Sequence, residues 1–342
     1  MKNFISKINK FFNPLNIYKN LLSYKVKNIF IYSKFMWNIK FILFINYLRF
    51  IKKKKIILIL REFPFVGIGD IIMMIPVLKE IKKIFSDYSI IFLASNDYGA
   101  RNYDIAKRIP FFDFVLLRPL DFSLNVFLER YKNYFNLFNI IHKYDNIDFL
   151  PKIIANCIKL KISNNSSHDF QEGYKFKLKE LEKALYYKKK FGDYIVFVDS
   201  AAKYKSKWPK KYWQKLIDFQ SLSVILLGTM EDDKFNFKNC IDLRNKTTLH
   251  EAAAIIKESK LYVGSVSGLF WFTHIFNKTS IIINGGLENP IFTRHSKSYH
   301  FFSKINCSNC LDFFNKNQCD MKCMRIITPK MVNKKIKEIL NQ

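Results

Sequence analysis

An α/β fold in two Rossmann-like halves is predicted by three observations on this 342-residue chain. Short β-branched runs alternate with helical patterns of about 10 to 15 residues, the signature of βαβ units and parallel sheets. The alternation comes in two series, 56–118 and 194–285, separated by a stretch rich in Tyr, Phe, Asn and Lys that has no clear period. Glycines stand where strands end, in FVGIGD and again in YVGSVSG, and ligands of open α/β sheets sit at those ends. The chain also exceeds the roughly 250 to 300 residues at which single cores stop growing.

In the first series IILIL (56–60) reads as a strand, IIMMIPVLKEIKKIF (71–85) as a helix, and SIIFLA (89–94) and FVLLR (114–118) as strands. The second opens with strand YIVFVDS (194–200), helix KKYWQKLIDF (210–219) and strand SVILLG (223–228). It continues through helix LHEAAAIIKES (249–259), strand LYVG (261–264), helix LFWFTHIFN (269–277) and strand SIIING (280–285). The expected organisation is a segment 1–55, a Rossmann-like domain 56–190 and a second Rossmann-like domain 191–342, with a cleft between the two domains.

Residues 1–55 contain no Asp or Glu, while Lys and Arg recur among Phe, Ile, Leu, Trp and Tyr. That is the composition of a basic amphipathic segment at an anionic membrane surface, and equally of a basic arm that packs helices on the domain behind it. Its most apolar stretch, Trp37–Ile51, is 15 residues long and holds Lys40 and Arg49, whereas a membrane span needs about 20 apolar residues. Across the chain 57 basic residues face 28 acidic ones, a net charge of +29 that favours phosphates or anionic headgroups as partners. Genome composition accounts equally for the Lys excess. Nucleic acid is not expected, since neither an aromatic RNA motif nor zinc-finger spacing occurs. Six cysteines and no visible secretory signal point to a cytoplasmic, reducing setting.

GIGDII fails as a dinucleotide fingerprint: Gly67 and Gly69 have the first spacing, but Ile72 stands at the third glycine and no Walker lysine follows. Asp70, at or next to a helix N-cap, would occupy the partial positive charge a phosphate needs. It is either an ordinary cap or a carboxylate, held by the turn of Gly67 and Gly69, that accepts a proton from a substrate hydroxyl. In GSVSGLFWFTH, Ser267 and Gly268 open an apolar helix with no acid in its first turn, which makes a candidate anion seat. AAKYKSKWPKKYW brings Lys203, Lys205 and Lys207 to another strand end, as phosphate ligands or as a solvated loop. Cys307, Cys310, Cys319 and Cys323 form two close pairs, either the ligands of a structural zinc or buried or disulfide-bonded cysteines.

Taken together these segments resemble glycosyltransferase family 9, which includes the ADP-heptose:lipopolysaccharide heptosyltransferases of GT-B fold. The likeness runs from Lys55 to near the C-terminus. The family's strand, Ile-Gly-Asp and Thr-Pro-Val-Leu helix appears as GIGDIIMMIPVLKEI with Ile75 replacing the threonine, and its Lys-x-Trp-Pro motif as KSKWPKKYW. TTLHEAAAIIKESKLYVG and SVSGLFWFTH follow in order. The resemblance implies an inverting, metal-independent transferase with an N-terminal acceptor domain and a C-terminal nucleotide-sugar donor domain that close on each other. Asp70 would be the general base, Lys207 the donor-phosphate lysine, Ser267 and Gly268 the diphosphate turn, and Glu231 the acid near the donor ribose; a plain helix-start acid is the other reading of Glu231. It implies no cofactor for catalysis, a nucleotide-diphosphate sugar donor (a heptose, or alternatively a hexose), a lipid-linked or lipopolysaccharide-core acceptor, and a place on the inner face of the cytoplasmic membrane. Val266 replaces the usual Asp and Trp271 the usual His, which leaves a non-catalytic membrane-associated scaffold as the rival from another class.

Overall fold

A computed structural model of the chain describes residues 40–53, 55–61, 67–94, 101–117, 136–140, 148–199, 206–229, 235–308 and 319–341. The chain divides into two compact units, Met1–His142 with Ile154–Ile162, and Lys143–Ile153 with Ser163–Gln342.

The first unit carries strands β1 (Lys55–Arg61), β2 (Tyr88–Ala94), β3 (Phe114–Leu117) and β4 (Asn136–Ile140). They form a parallel sheet of order β3-β2-β1-β4. Ile56, Ile57, Leu58 and Ile59 are all buried, so β1 is covered on both faces and its sequence is an unbroken apolar run rather than an alternation. After β1 come two helices, α1 (Ile68–Ile72) and α2 (Ile75–Ile84), where the apolar period alone predicts one. Pro76 is the reason. Inside a continuous helix its ring would clash with the preceding turn and a hydrogen bond would be lost, whereas in the first turn of α2 it has no N–H to lose.

Residues 40–51 are helical and end in a π turn, Tyr47–Ile51, where the Lys52 N–H donates to the Tyr47 carbonyl at 3.1 Å. Phe41, Phe44, Ile45 and Leu48 pack with Ile56, Leu58, Ile91, Leu93 and Leu116, and Phe44 stands edge-on to Phe114. This part of the expected 1–55 segment is therefore a wall of the sheet's core, and the boundary expected at 55 does not separate it from the domain. Its outer side shows Leu43 and Phe50, 64% and 71% exposed and seven residues apart. Residues 1–39 lie outside the described residues.

The second unit holds β5 (Tyr194–Val198), β6 (Ser223–Leu226), β7 (Ile241–Asp242), β8 (Leu261–Gly264), β9 (Ser280–Gly285) and β10 (Ser298–Phe302). They make one parallel sheet of order β10-β9-β8-β5-β6-β7, doubly wound, with its direction of growth reversing between β5 and β8. Its helices include α3 (Leu178–Phe191), α4 (Lys210–Asp218), α5 (Leu249–Glu258), α6 (Trp271–Ile275) and α7 (Pro329–Leu340). The domain boundary expected at 190 falls inside α3. That helix packs on α5, with Lys183 paired to Glu251 at 3.1 Å, so residues 163–190 belong with the second sheet. At the end of β9, Gly285 has φ +61°, and a Cβ there would meet the Met324 sulfur at 2.2 Å, so both conformation and space demand glycine.

Candidate active site

In a doubly wound sheet the ligand crevice lies beyond the carboxyl ends of the strands where the order reverses. In the second unit those strands are β5 and β8, paired through Val198 and Gly264. Two loops leave the reversal, one reaching Ser206–Pro209 and one running from Ser265 to Phe270. The buried Ser265 hydroxyl donates to the buried Ser206 carbonyl at 2.9 Å and ties the loops together. Beyond Lys207, Trp208 is 1% exposed. Its indole N–H donates to the Ile327 carbonyl at 2.8 Å, and its ring stands edge-on to Trp213. Lys207 is half-buried between a strapped residue and an anchored one, which fixes its backbone beside the β8 exit. The lysine motif and the SVSG turn, far apart in sequence, are thus brought together. Lys203 and Lys205 lie outside the described residues.

Ser267 and Gly268 do not open a helix directly, because α6 begins only at Trp271. The intervening residues turn, with the Phe272 and Thr273 N–H groups donating to the Leu269 and Phe270 carbonyls. The candidate anion seat therefore offers turn amides and the Ser267 hydroxyl, whose buried oxygen has no hydrogen-bond partner of ordinary geometry, and not a long helix's macrodipole. Trp271, 3% exposed, stacks on His274 at 4.7 Å and lies 6.3 Å from Phe170, so an aromatic wall occupies the position where family members carry His. Burial first, then the neighbouring His295, drives His274 well below the ordinary imidazole range. Burial likewise lowers His295 to about 3 and His300 to about 4. His295 and His300 are neutral rings that serve hydrogen bonds, His295 to Thr273 and Ser280, and His300 to Asn284 at 2.8 Å.

Beside the crevice an ion network that the sequence reading missed closes the β5 end. One oxygen of Asp199 accepts from Lys210 at 2.6 Å and from Arg244 at 3.1 Å. Arg244 also bonds Asp242 at 2.7 Å and the Phe235 carbonyl at 2.9 Å, and its guanidinium lies over the Phe237 ring. Burial opposes the charge on Asp242, but the Arg244 hydrogen bonds outweigh it and hold the carboxyl below its usual range. The only signal in the chain was the Asp-Leu-Arg spacing after a short strand. Glu231 lies outside the described residues.

In the first unit the β1 exit leads to Gly67, the N-cap of α1, with extended backbone. Asp70 is the third helical residue, not the cap. Its Oδ2 accepts the Gly67 N–H at 2.7 Å while its own N–H donates to the Gly67 carbonyl at 3.1 Å, closing a reciprocal ring that holds the half-buried carboxylate at the helix start. A Cβ on Gly67 would approach that oxygen to 3.2 Å. Gly69 is buried within α1 and serves packing, so only Gly67 is the turn glycine.

Cys307, Cys319 and Cys323 are free thiols, which removes the disulfide reading for these three. Burial raises the Cys323 pKa, with Cys319 and Cys307 adding to the rise and a hydrogen bond from the Gly286 backbone N–H opposing it. Among the described residues no three His, Cys, Asp or Glu side chains converge as a metal site, and Cys310 lies outside them.

Solved structures share this architecture. A glycosyl transferase family 9 protein from Veillonella parvula DSM 2008 superposes with TM-score 0.63 at 13% identity, covering 84% of this chain and 97% of that one. E. coli ADP-heptose lps heptosyltransferase II gives 0.60 at 14%, covering 84% and 99%. The dodecameric iron-containing glycosyltransferase TibC of enterotoxigenic E. coli H10407 gives 0.60 at 13%, covering 84% and 77%. The fold is that of the GT-B glycosyltransferases. The chain belongs to glycosyltransferase family 9 (heptosyltransferase), whose model matches residues 137–320, more than half of its length. No curated protein sequence matches it.

Proposed function

We propose that this glycosyltransferase moves a sugar, with heptose the leading candidate, from a nucleotide-diphosphate donor to a hydroxyl of a lipopolysaccharide-core or other cell-surface glycan acceptor. The observation that carries this reading is the Ser265–Ser206 bond, which sets Lys207 beside the Ser267–Gly268 turn at the sheet reversal. Diphosphate gains charge as the glycosidic bond breaks, and the Lys207 ammonium with the turn amides supplies the stabilisation. Asp70 takes the acceptor proton, and direct displacement inverts the anomeric centre. None of these roles requires a metal. The name of the E. coli relative pairs ADP-heptose with lps, which makes ADP-heptose the first donor to try. A thermal-shift panel of ADP-, UDP- and GDP-sugars tests the reading: one class is expected to raise Tm, and no shift with any would favour the scaffold.

We further propose that the protein works at an anionic membrane surface. Leu43 and Phe50 project from a helix whose other side is locked in the core, next to Arg49, Lys52 and Lys53 and within a run free of acidic residues. No helix among the described residues is long and apolar enough to cross a membrane. Deleting 1–55 would remove core residues, so the sharper test is Leu43→Glu with Phe50→Glu. Cosedimentation with phosphatidylglycerol-rich vesicles is expected to fall severalfold with Tm unchanged, and unaltered partition would remove the proposal.

A further inference from the structure

Side chains alternate along a strand, so Tyr262 and Gly264 of β8 face the same side of the sheet. Tyr262 is fully buried. A Cβ on Gly264 would lie 2.6 Å from the Tyr262 hydroxyl oxygen and 2.9 Å from the ring carbon that bears it. The missing side chain at 264 is thus the gap through which the phenol reaches the carboxyl end of β8, where the Ser265–Gly268 turn departs. Two buried hydroxyl oxygens there, those of Tyr262 and Ser267, lack a hydrogen-bond partner of ordinary geometry. Ser267 stands three residues beyond Gly264, in the turn that begins where the phenol emerges. Burial raises the phenol's pKa, and Ser267 offsets part of that rise. A Phe at 262 would fill the same space and leave no polar atom at the end of the strand. Buried hydroxyls without partners are costly, so such a pair at a ligand crevice is incomplete without a ligand acceptor.

We propose that Tyr262 is a positioning residue for the donor diphosphate: its phenol donates to the Ser267 oxygen, which turns the Ser267 O–H outward to donate to a phosphate oxygen. A serine hydroxyl has one proton to give and lone pairs to receive, so accepting from Tyr262 commits that proton to the ligand. Polarisation along the chain strengthens the outer bond. This inference rests on the donor reading of the Ser267–Gly268 turn, and Tyr262 itself touches no substrate.

Isothermal titration with ADP and with inorganic pyrophosphate separates the two. Tyr262→Phe and Ser267→Ala are each expected to weaken both probes about tenfold. The double variant should bind no worse than Ser267→Ala, because the two hydroxyls act as one relay. Ser267→Thr should keep the affinity and its sensitivity to Tyr262→Phe. Gly264→Ala, which pushes the phenol aside without deleting it, should reproduce the loss. If Ser267→Ala weakens binding but Tyr262→Phe or Gly264→Ala does not, or if the two losses multiply, the relay is wrong and the donor seat stands. If Ser267→Ala binds like the wild type, or the wild type binds neither probe, the donor seat fails and takes the relay with it.

Discussion

Asp70→Asn is expected to lower sugar transfer by about 10²- to 10⁴-fold with donor affinity unchanged, the range for loss of a positioned general base. The substitution suits the geometry because asparagine retains an oxygen to accept the Gly67 N–H, which the carboxylate holds at 2.7 Å, yet has no basic oxygen to take a proton. The helix start should therefore survive while the chemistry is lost. A purely structural Asp70 gives the opposite pattern: Asp70→Asn stays close to full turnover, and Asp70→Ala costs stability of about 1 kcal/mol, the usual worth of a helix-terminal side-chain bond. Measuring kcat and Tm on both variants distinguishes a base held in place by its capping bond from a cap alone. The capping bond does not argue against catalysis, since a base must be held within hydrogen-bond reach of its target.

Arg244→Leu is expected to destabilise the second unit by about 3–5 kcal/mol, as when one partner is removed from a buried ion pair. The side chains of Arg244 and Asp199 are 1% and 0% exposed, so no solvent is at hand to take over from the lost guanidinium. Lys210, at 19% exposure, still faces Asp199 but cannot reach both carboxylates with Arg244's fork, and the bond to the Phe235 carbonyl disappears as well. Denaturant titration followed by tryptophan fluorescence reads the effect, because Trp208 and Trp213 sit in the core of this unit. A loss below about 1 kcal/mol, the range of exposed pairs, would mean the network is solvated in practice.

The alternation of apolar runs and helical periods was enough to place eleven of the described elements, because buried parallel strands such as β1, β8 and β9 write themselves as apolar blocks. Strands that are short or interrupted by polar residues left less trace: β4 reads NLFNI, β7 has two residues and β10 is SYHFF. The helix 40–51 looked like a surface segment because its composition is basic and aromatic, whereas its buried side is decided by tertiary packing on β1 and β2. In the site, the motifs KSKWP and SVSG were visible, but the Ser265–Ser206 strap that joins them was not, since a serine hydroxyl's partner depends on the fold. The same holds for Asp199 and Arg244, 45 residues apart in sequence, and for the Tyr262 hydroxyl that fills the space beside Gly264.

The most direct test of the central claim, that the second unit holds the donor's diphosphate at the β5–β8 reversal, is the Kd for ADP of the wild type and of Lys207→Ala by isothermal titration. Loss of a hydrogen bond to a charged group is expected to weaken ADP by about 10- to 100-fold with Tm in the absence of ligand unchanged. Equal affinities in the two proteins would contradict the claim.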